Sequence, residues 1–226
     1  MPREAKAQVV LVEDHPMFRE QLAHLIDKQP DMAVCAEAAN AIDGFAVISR
    51  EQPALAIIDI TLKGSSGLEL LKDLRAQGIK VPVLMLSMHP ESLYAERALR
   101  AGANGYITKE EAAAKVMTAI RQVLAGEIYL DPRFMKRVVS QVLVNPRNNS
   151  AEPIERLTDR ELSVFELIGE GRTTREIGVR LRVSVATIET YRARIKEKLD
   201  LENAGQLHAR ASSWVHERHA VAGTAA

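Results

Sequence analysis

The sequence predicts two domains of different class, a (βα)5 doubly wound parallel α/β sheet and, after it, an all-α four-helix helix-turn-helix domain. Three observations predict this. Short apolar runs alternate with amphipathic segments up to Gly126, the pattern then stops, and four helical segments follow a polar, proline-flanked break without any further strand. In order, the first run is Gln8 to Val12, closed by Glu13-Asp14, and the helical pattern Met17-Phe18 to Leu25-Ile26 follows. Met32 to Ala36 is a second strand and Ala41 to Ile48 a second helix. Pro53 precedes the strand Ala56 to Asp59, and Leu68 to Leu74 is the next helix, ended by Gly78. Pro82 opens Val83 to Ser87, Leu93 to Leu99 follows, and Gly102 and Gly105 bracket the turn into Gly105 to Thr108. Val116 to Leu124 completes the fifth unit. Nearly continuous apolar strands joined by helical crossovers imply a parallel sheet covered on both faces.

Asp131-Pro132 reads as the cap and first turn of another helix, running to about Val144. Asn145 to Pro153 is polar and proline-flanked, a flexible linker. The helical segments beyond it are 158 to 169, 173 to 181, 184 to 199 and 204 to 218. The domains are therefore drawn at 1–130, a linker helix and linker at 131–153, a helical domain at 154–219, and a frayed tail at 220–226.

Lys plus Arg and Asp plus Glu both number 30, but the charge is unevenly placed. Residues 1 to 130 hold 14 basic against 17 acidic side chains, whereas 172 to 198 hold eight basic against Glu176, Glu189 and Glu197. A cation-binding half joined to an anion-binding half fits this distribution. The single cysteine, Cys35, is expected as a buried strand residue and cannot form an intrachain disulfide. Neither an apolar signal segment nor a run of roughly 18–20 apolar residues is present, so a cytoplasmic protein with no membrane partner is expected.

Side chains leaving the carboxyl ends of neighbouring parallel strands meet in one crevice, which would gather Glu13, Asp14, Asp59, Ser87 and Lys109. Three carboxylates need a cation to offset their repulsion. Magnesium, with its preference for hard oxygen ligands and phosphate, is the natural one. Asp59 is then a candidate nucleophile toward phosphorus, Glu13 and Asp14 metal ligands, Lys109 a counter-charge, and Ser87 a hydroxyl donor to a phosphoryl oxygen.

In the second half, Thr158 and Glu161 form a capping box. The short helix at 173 to 181, a tight turn and the helix from Val185 to Leu199 read as helix-turn-helix. Thr187, Glu189, Thr190, Arg192, Arg194 and Lys196 are assigned to the polar surface of that second helix and Ile188, Ile195 and Leu199 to its core side. The basic side chains suit phosphates, and Glu189 and Thr190 are of types that read base edges of double-stranded DNA.

Residues 8 to about 126 resemble the receiver domain of two-component response regulators, through Glu13-Asp14, Asp59, Ser87, Tyr106 and Lys109. Residues 157 to 201 are similar to the LuxR/GerE-type helix-turn-helix, through Leu157-Thr158, Arg160-Glu161, Gly171, Glu176-Ile177, Leu181, Val183-Ser184, Thr187-Ile188 and Lys198-Leu199. Together the halves resemble the NarL/FixJ family. The resemblance implies a transcription regulator, not an enzyme acting on a separate substrate, in which Asp59 takes a phosphoryl group from a sensor histidine kinase. It implies magnesium held by Glu13, Asp14, Asp59 and the backbone carbonyl of Thr61, with Ser87 and Tyr106 as a switch in which Tyr106 rotates inward. It implies a phosphorylated homodimer on DNA, with RNA polymerase as a further partner.

This chain departs from the family pattern at five positions. Lys63 stands where proline is common, Tyr191 where histidine is frequent and Gly178 where alanine is frequent. Glu189 stands where lysine is often found, so the operator does not carry over. Bulky Met88, after Ser87, is expected to hinder an attacking water and lengthen the life of the aspartyl phosphate. Two competing readings are an aspartyl-phosphate hydrolase, which would have an acid where Thr61 stands, and an adaptor that binds only proteins.

Overall fold

In the computed structural model the five apolar runs are adjacent parallel strands. Residues 6–63, 65–88, 91–132 and 153–223 are described. Contacts divide the chain into two units, Met1–Val142 and Leu143–Ala226.

In the first unit the strands are β1 (Ala7–Val12), β2 (Met32–Ala38), β3 (Leu55–Asp59), β6 (Val83–Ser87) and β7 (Gly105–Thr108), in the order β2-β1-β3-β6-β7. All neighbours are parallel, with Val12 opposite Ile58 and Asp59 opposite Leu86. The chain moves outward from β1 to β2 and then reverses, crossing back over β1 to β3, which places the carboxyl ends of β1 and β3 side by side, the position where such sheets form a crevice. The helices are α1 (Pro16–Asp27), α2 (Ala41–Glu51), α3 (Gly67–Ala76), α4 (Glu91–Arg100) and α5 (Lys109–Leu124). Val9, Leu11, Ile57, Leu84 and Ile107 from the strands pack with Leu22, Ile26, Val116 and Ile120 from α1 and α5 in a buried core.

Local chemistry starts these helices. Pro16 occupies the first turn of α1, and Asn40, Ser66 and Thr108 each cap a helix by accepting a hydrogen bond from a backbone N–H. The Thr108 cap starts α5 well before the apolar pattern at Val116, so Lys109 is the first residue of a helix and not part of a loop. A second feature absent from the sequence reading is the small antiparallel pair β4 (Thr61–Leu62) and β5 (Ser65–Ser66), directly after Asp59. It pairs Thr61 with Ser66 and Leu62 with Ser65 across the segment that contains Lys63. Cys35, expected to be buried, is only half-buried because β2 is an edge strand. The helix expected at 131 to 144 lies outside the described residues from position 133, as does most of the linker.

The second unit opens with a 3-10 turn, Pro153–Arg156, and four helices follow: α6 (Asp159–Gly169), α7 (Thr174–Leu181), α8 (Val185–Lys198) and α9 (Ala204–Gly223). Helix α9 extends four residues past the boundary drawn at 219, so residues 220–223, expected to be frayed, are helical. Thr158 and Glu161 form the expected capping box, and Thr173 with Glu176 forms another. Glu161 also accepts from Lys198 at 2.6 Å, tying the start of α6 to the end of α8. Phe165 and Trp214 pack α6 on α9 with ring centroids 5.5 Å apart. Gly178 accounts for its departure from alanine: a Cβ there would sit 2.9 Å from the Val183 carbonyl oxygen, which closes the turn between α7 and α8. Among the described residues no helix is long and apolar enough to cross a membrane.

Burial opposes the charge on Glu161, but the Lys198 and Thr158 hydrogen bonds outweigh it and hold the carboxyl below the ordinary glutamate range. A depressed pKa stabilises the fold above the ordinary glutamate value, and the effect is lost as pH falls through the lowered one. Glu161→Gln should therefore weaken the second unit by about 1 kcal/mol near neutral pH, discounted for the half-exposed Lys198. Urea unfolding should show the gap to wild type closing in acid; an equal gap at all pH values would refute the ionic account.

Candidate functional site

The adjacent ends of β1 and β3 bring Glu13 and Asp59 together, and the start of α5 delivers Lys109 between them. The Lys109 ammonium lies 2.6 Å from Glu13 Oε2 and 2.9 Å from Asp59 Oδ2. It also sits over the Phe18 ring, 5.0 Å from its centroid, an attraction added to the two ion pairs. Glu13, Asp59 and Ser87 are buried, and Asp14 and Thr61 are half-buried at the mouth. Ligand atoms of Glu13, Asp14 and Asp59 all lie within 4.8 Å of one another.

One ammonium faces three carboxylates, so the charge is not balanced. Asp59 Oδ1 is buried without a hydrogen-bond partner. Burial pushes the Asp59 carboxyl up, Lys109 pulls it down and Glu13 pushes it up again, leaving it at about 7. Burial also opposes the charge on Lys109, but Asp59 and Glu13 outweigh it and hold the ammonium above the ordinary lysine value. An orphaned buried oxygen beside two further acids fits a bound divalent cation. Glu13 is not wholly at the cation's disposal, however: its Oε2 faces Lys109 and its Oε1 accepts from the His15 amide.

Three contributors to this geometry carry no clear signal in the sequence. Arg19, one turn into α1, donates to the Glu13 carbonyl at 2.6 Å and pairs with Glu37 at 2.9 Å, bracing the loop that carries the acids. Phe18, its neighbour, supplies the ring under Lys109. Gly67 opens α3, where a Cβ would overlap the Asp59 carbonyl oxygen; its amide donates to the Ile60 carbonyl at 2.9 Å. Such close approaches are three-dimensional facts, invisible along a chain.

Ser87 is fully buried at the end of β6, opposite Thr108 across the sheet. Tyr106 is fully buried too. Met88 is 55% exposed.

Helix α8 distributes the six expected DNA-facing residues unevenly. Glu189, Thr190 and Arg194 are exposed, whereas Thr187, Arg192 and Lys196 are half-buried. Thr187 is drawn into the α8 cap, its amide donating to Ser184 Oγ and its hydroxyl 2.8 Å from that atom. Arg192, with a side chain 20% exposed, lies 3.7 Å from Glu189. Val185, Ala186 and Ala193 share the exposed surface and were not among the expected residues. Ile188 and Ile195 are buried as expected, and Leu199 only half so.

Residues 9–121 match the family model of the response regulator receiver domain, and 155–211 match that of the bacterial regulatory proteins of the luxR family. The transcriptional activator protein ExaE of Pseudomonas putida is 34% identical over 88% of this chain and 92% of its own length. The chain belongs to the NarL/FixJ family of two-component response regulators. The nitrate/nitrite response regulator NarL of Escherichia coli is 29% identical over 96% of this chain and 98% of its own. A two-component response regulator of the LuxR family from Aurantimonas sp. SI85-9A1 superposes with a TM-score of 0.57 at 33% identity, over 62% of this chain and 99% of that one. This response regulator thus joins a receiver domain to a LuxR-type DNA-binding domain that acts in transcription regulation.

A carboxyl with a raised pKa costs stability as pH rises from its ordinary value of 3.8 toward about 7. Asp59→Asn is therefore expected to raise the melting temperature of the first unit, slightly near pH 4 and more above pH 7; each pKa unit is worth about 1.4 kcal/mol. Millimolar magnesium should raise the melting temperature of wild type more than that of the variant. A gain independent of pH would contradict the electrostatic reading.

Proposed function

We propose that this response regulator takes a phosphoryl group on Asp59 from a phosphohistidine of a sensor kinase and thereby controls its own dimerisation and binding to DNA. The single observation that carries the reading is the buried Asp59 oxygen without a hydrogen-bond partner, set among two further carboxylates and beside a lysine. The Asp59 oxygen attacks phosphorus, the phosphorus–nitrogen bond to the kinase histidine breaks, and an acyl phosphate results. Magnesium, held by Glu13, Asp14, Asp59 and the Thr61 carbonyl, would neutralise charge on the transferring oxygens. Lys109 holds the opposite side of the Asp59 carboxylate and moves its hydrogen bond to the phosphoryl group as negative charge accumulates there.

Ser87 is at the strand end next to Asp59 and can donate its hydroxyl to a phosphoryl oxygen, with Tyr106 as its partner in the switch. With Tyr106 already buried, the new Ser87 hydrogen bond stabilises an existing arrangement and shifts a population toward it. Dimerisation then raises the local concentration of the second recognition helix, so two half-sites are bound together. Arg194 and Lys196 supply phosphate contacts, Arg192 and Thr187 fix the helix, and Glu189 and Thr190 face the bases. The kinase and DNA place the protein in the cytoplasm, and RNA polymerase is the partner that a DNA-bound regulator addresses.

Binding of wild type and Asp59→Asn to a genomic DNA library, with and without an acyl-phosphate donor and magnesium, tests this. Sites enriched only for phosphorylated wild type are expected; equal enrichment for both proteins would remove Asp59 from control of binding. Met88→Ala should speed loss of the aspartyl phosphate several-fold if the exposed side chain shields it from water, and an unchanged rate would discard that role.

A further inference from the structure

We infer that α8 selects a cytosine flanked by thymine methyl groups, with Glu189 as the residue that reads the cytosine and Thr174 as the residue that positions Glu189. The inference rests on the DNA-binding reading above and gives it a sequence content. In a helix-turn-helix the second helix presents its N-terminal residues to base edges in the major groove. On α8 those are Val185, Ala186, Glu189 and Thr190, all exposed, with Ala193 one turn further on.

This surface has an unusual chemistry. Val185, 49% exposed, and the two alanines offer only apolar groups. The Thr190 hydroxyl donates back to the Ala186 carbonyl at 3.0 Å, which uses its hydrogen and leaves a methyl and an oxygen that can only accept. At the centre stands the Glu189 carboxylate, 58% exposed. The face is thus a hydrogen-bond acceptor set among methyl groups, and a carboxylate has no donor to offer.

An acceptor of this kind discriminates among bases. Guanine presents two acceptors, O6 and N7, which repel it. Adenine offers the N6 amino group but places the N7 acceptor next to it. Cytosine offers the N4 amino group with no acceptor of its own beside it, and thymine offers a methyl group that suits Val185 and the alanines. A negative charge between phosphate strands is unfavourable unless it is paired, so Glu189 works chiefly by rejecting the wrong base. Small neighbours at 186 and 193 let the backbone of α8 come close enough for a side chain of this length to reach.

The carboxylate is also held in place. Thr174 Oγ1, at the start of α7, donates to Glu189 Oε1 at 3.0 Å, and Arg192 Nε lies 3.7 Å from Oε2. Each oxygen retains a lone pair for a base, so these contacts orient the group without saturating it. Fixing the side chain before binding lowers the entropy lost on contact.

The test is selection of random DNA duplexes by the full chain with an acyl-phosphate donor and magnesium, for wild type, Glu189→Gln, Glu189→Ala and Thr174→Val. Wild-type sites should carry one cytosine position per half-site, preferred about tenfold. Glu189→Gln should shift that position to adenine, the base that an amide pairs with in two places. Glu189→Ala should lose the preference there and keep the others, with nonspecific binding and its salt slope no weaker than in wild type. Thr174→Val should keep cytosine at a reduced preference. Wild-type enrichment with an identical base profile in both Glu189 variants, or a guanine at the position that responds, would overturn this inference while leaving DNA binding intact. Failure of wild type to enrich any site would overturn it together with the proposed function.

Discussion

The shortage of positive charge at the carboxyl edge of the sheet is the constraint around which the first domain is organised. Glu13 and Asp59 are brought together by the adjacency of β1 and β3, and a buried pair of like charges is unfavourable by several kcal/mol unless something offsets it. Lys109 offsets part of it, and the cap at Thr108 is what puts that lysine on a rigid helix start. Arg19 fixes the acid-bearing loop from one side, and Gly67 lets α3 begin against the Asp59 backbone from the other. The remaining imbalance is the feature on which the proposed binding of a divalent cation and a phosphoryl group rests. A fully neutralised site would be more stable and would have less use for either.

The second domain depends on a different economy, that of helix ends. Four helices leave many terminal backbone groups that their own hydrogen bonds do not satisfy, and Thr158, Thr173 and Ser184 each cap one. Glu161 serves its own cap and the Lys198 ammonium together, so a single carboxylate connects the start of α6 to the far end of α8. The angle of α8 relative to its support is therefore set by local polar contacts as well as by the buried Ile188 and Ile195.

Period and punctuation made the architecture legible: apolar runs marked the five main strands, and Thr158 with Glu161 marked a helix start. The acids, Ser87 and Lys109 were legible because strand-end polar residues recur after apolar runs. What stayed hidden depends on contacts between residues distant in sequence or on backbone pairing. The β4–β5 hairpin has two residues per strand, too few for any alternation to register. Arg19 and Phe18 look like ordinary members of an amphipathic helix until Glu13 and Lys109 are seen beside them. On α8, a helical wheel placed six polar residues on one face, but it could not show that Arg192 turns toward Glu189 or that Thr187 is drawn into the cap.

The surface of α8 that carries Val185, Glu189 and Ala193 shares no side chain with the buried set Ile188 and Ile195. Substitutions on such a surface change stability by only about 0.5 kcal/mol or less. If that stripe reads the promoter as inferred, paralogous copies of this gene can diverge in the promoters they address through one or two base changes in its codons, with the domain folding as before. Regulatory circuits can be rewired in this architecture without an unstable intermediate.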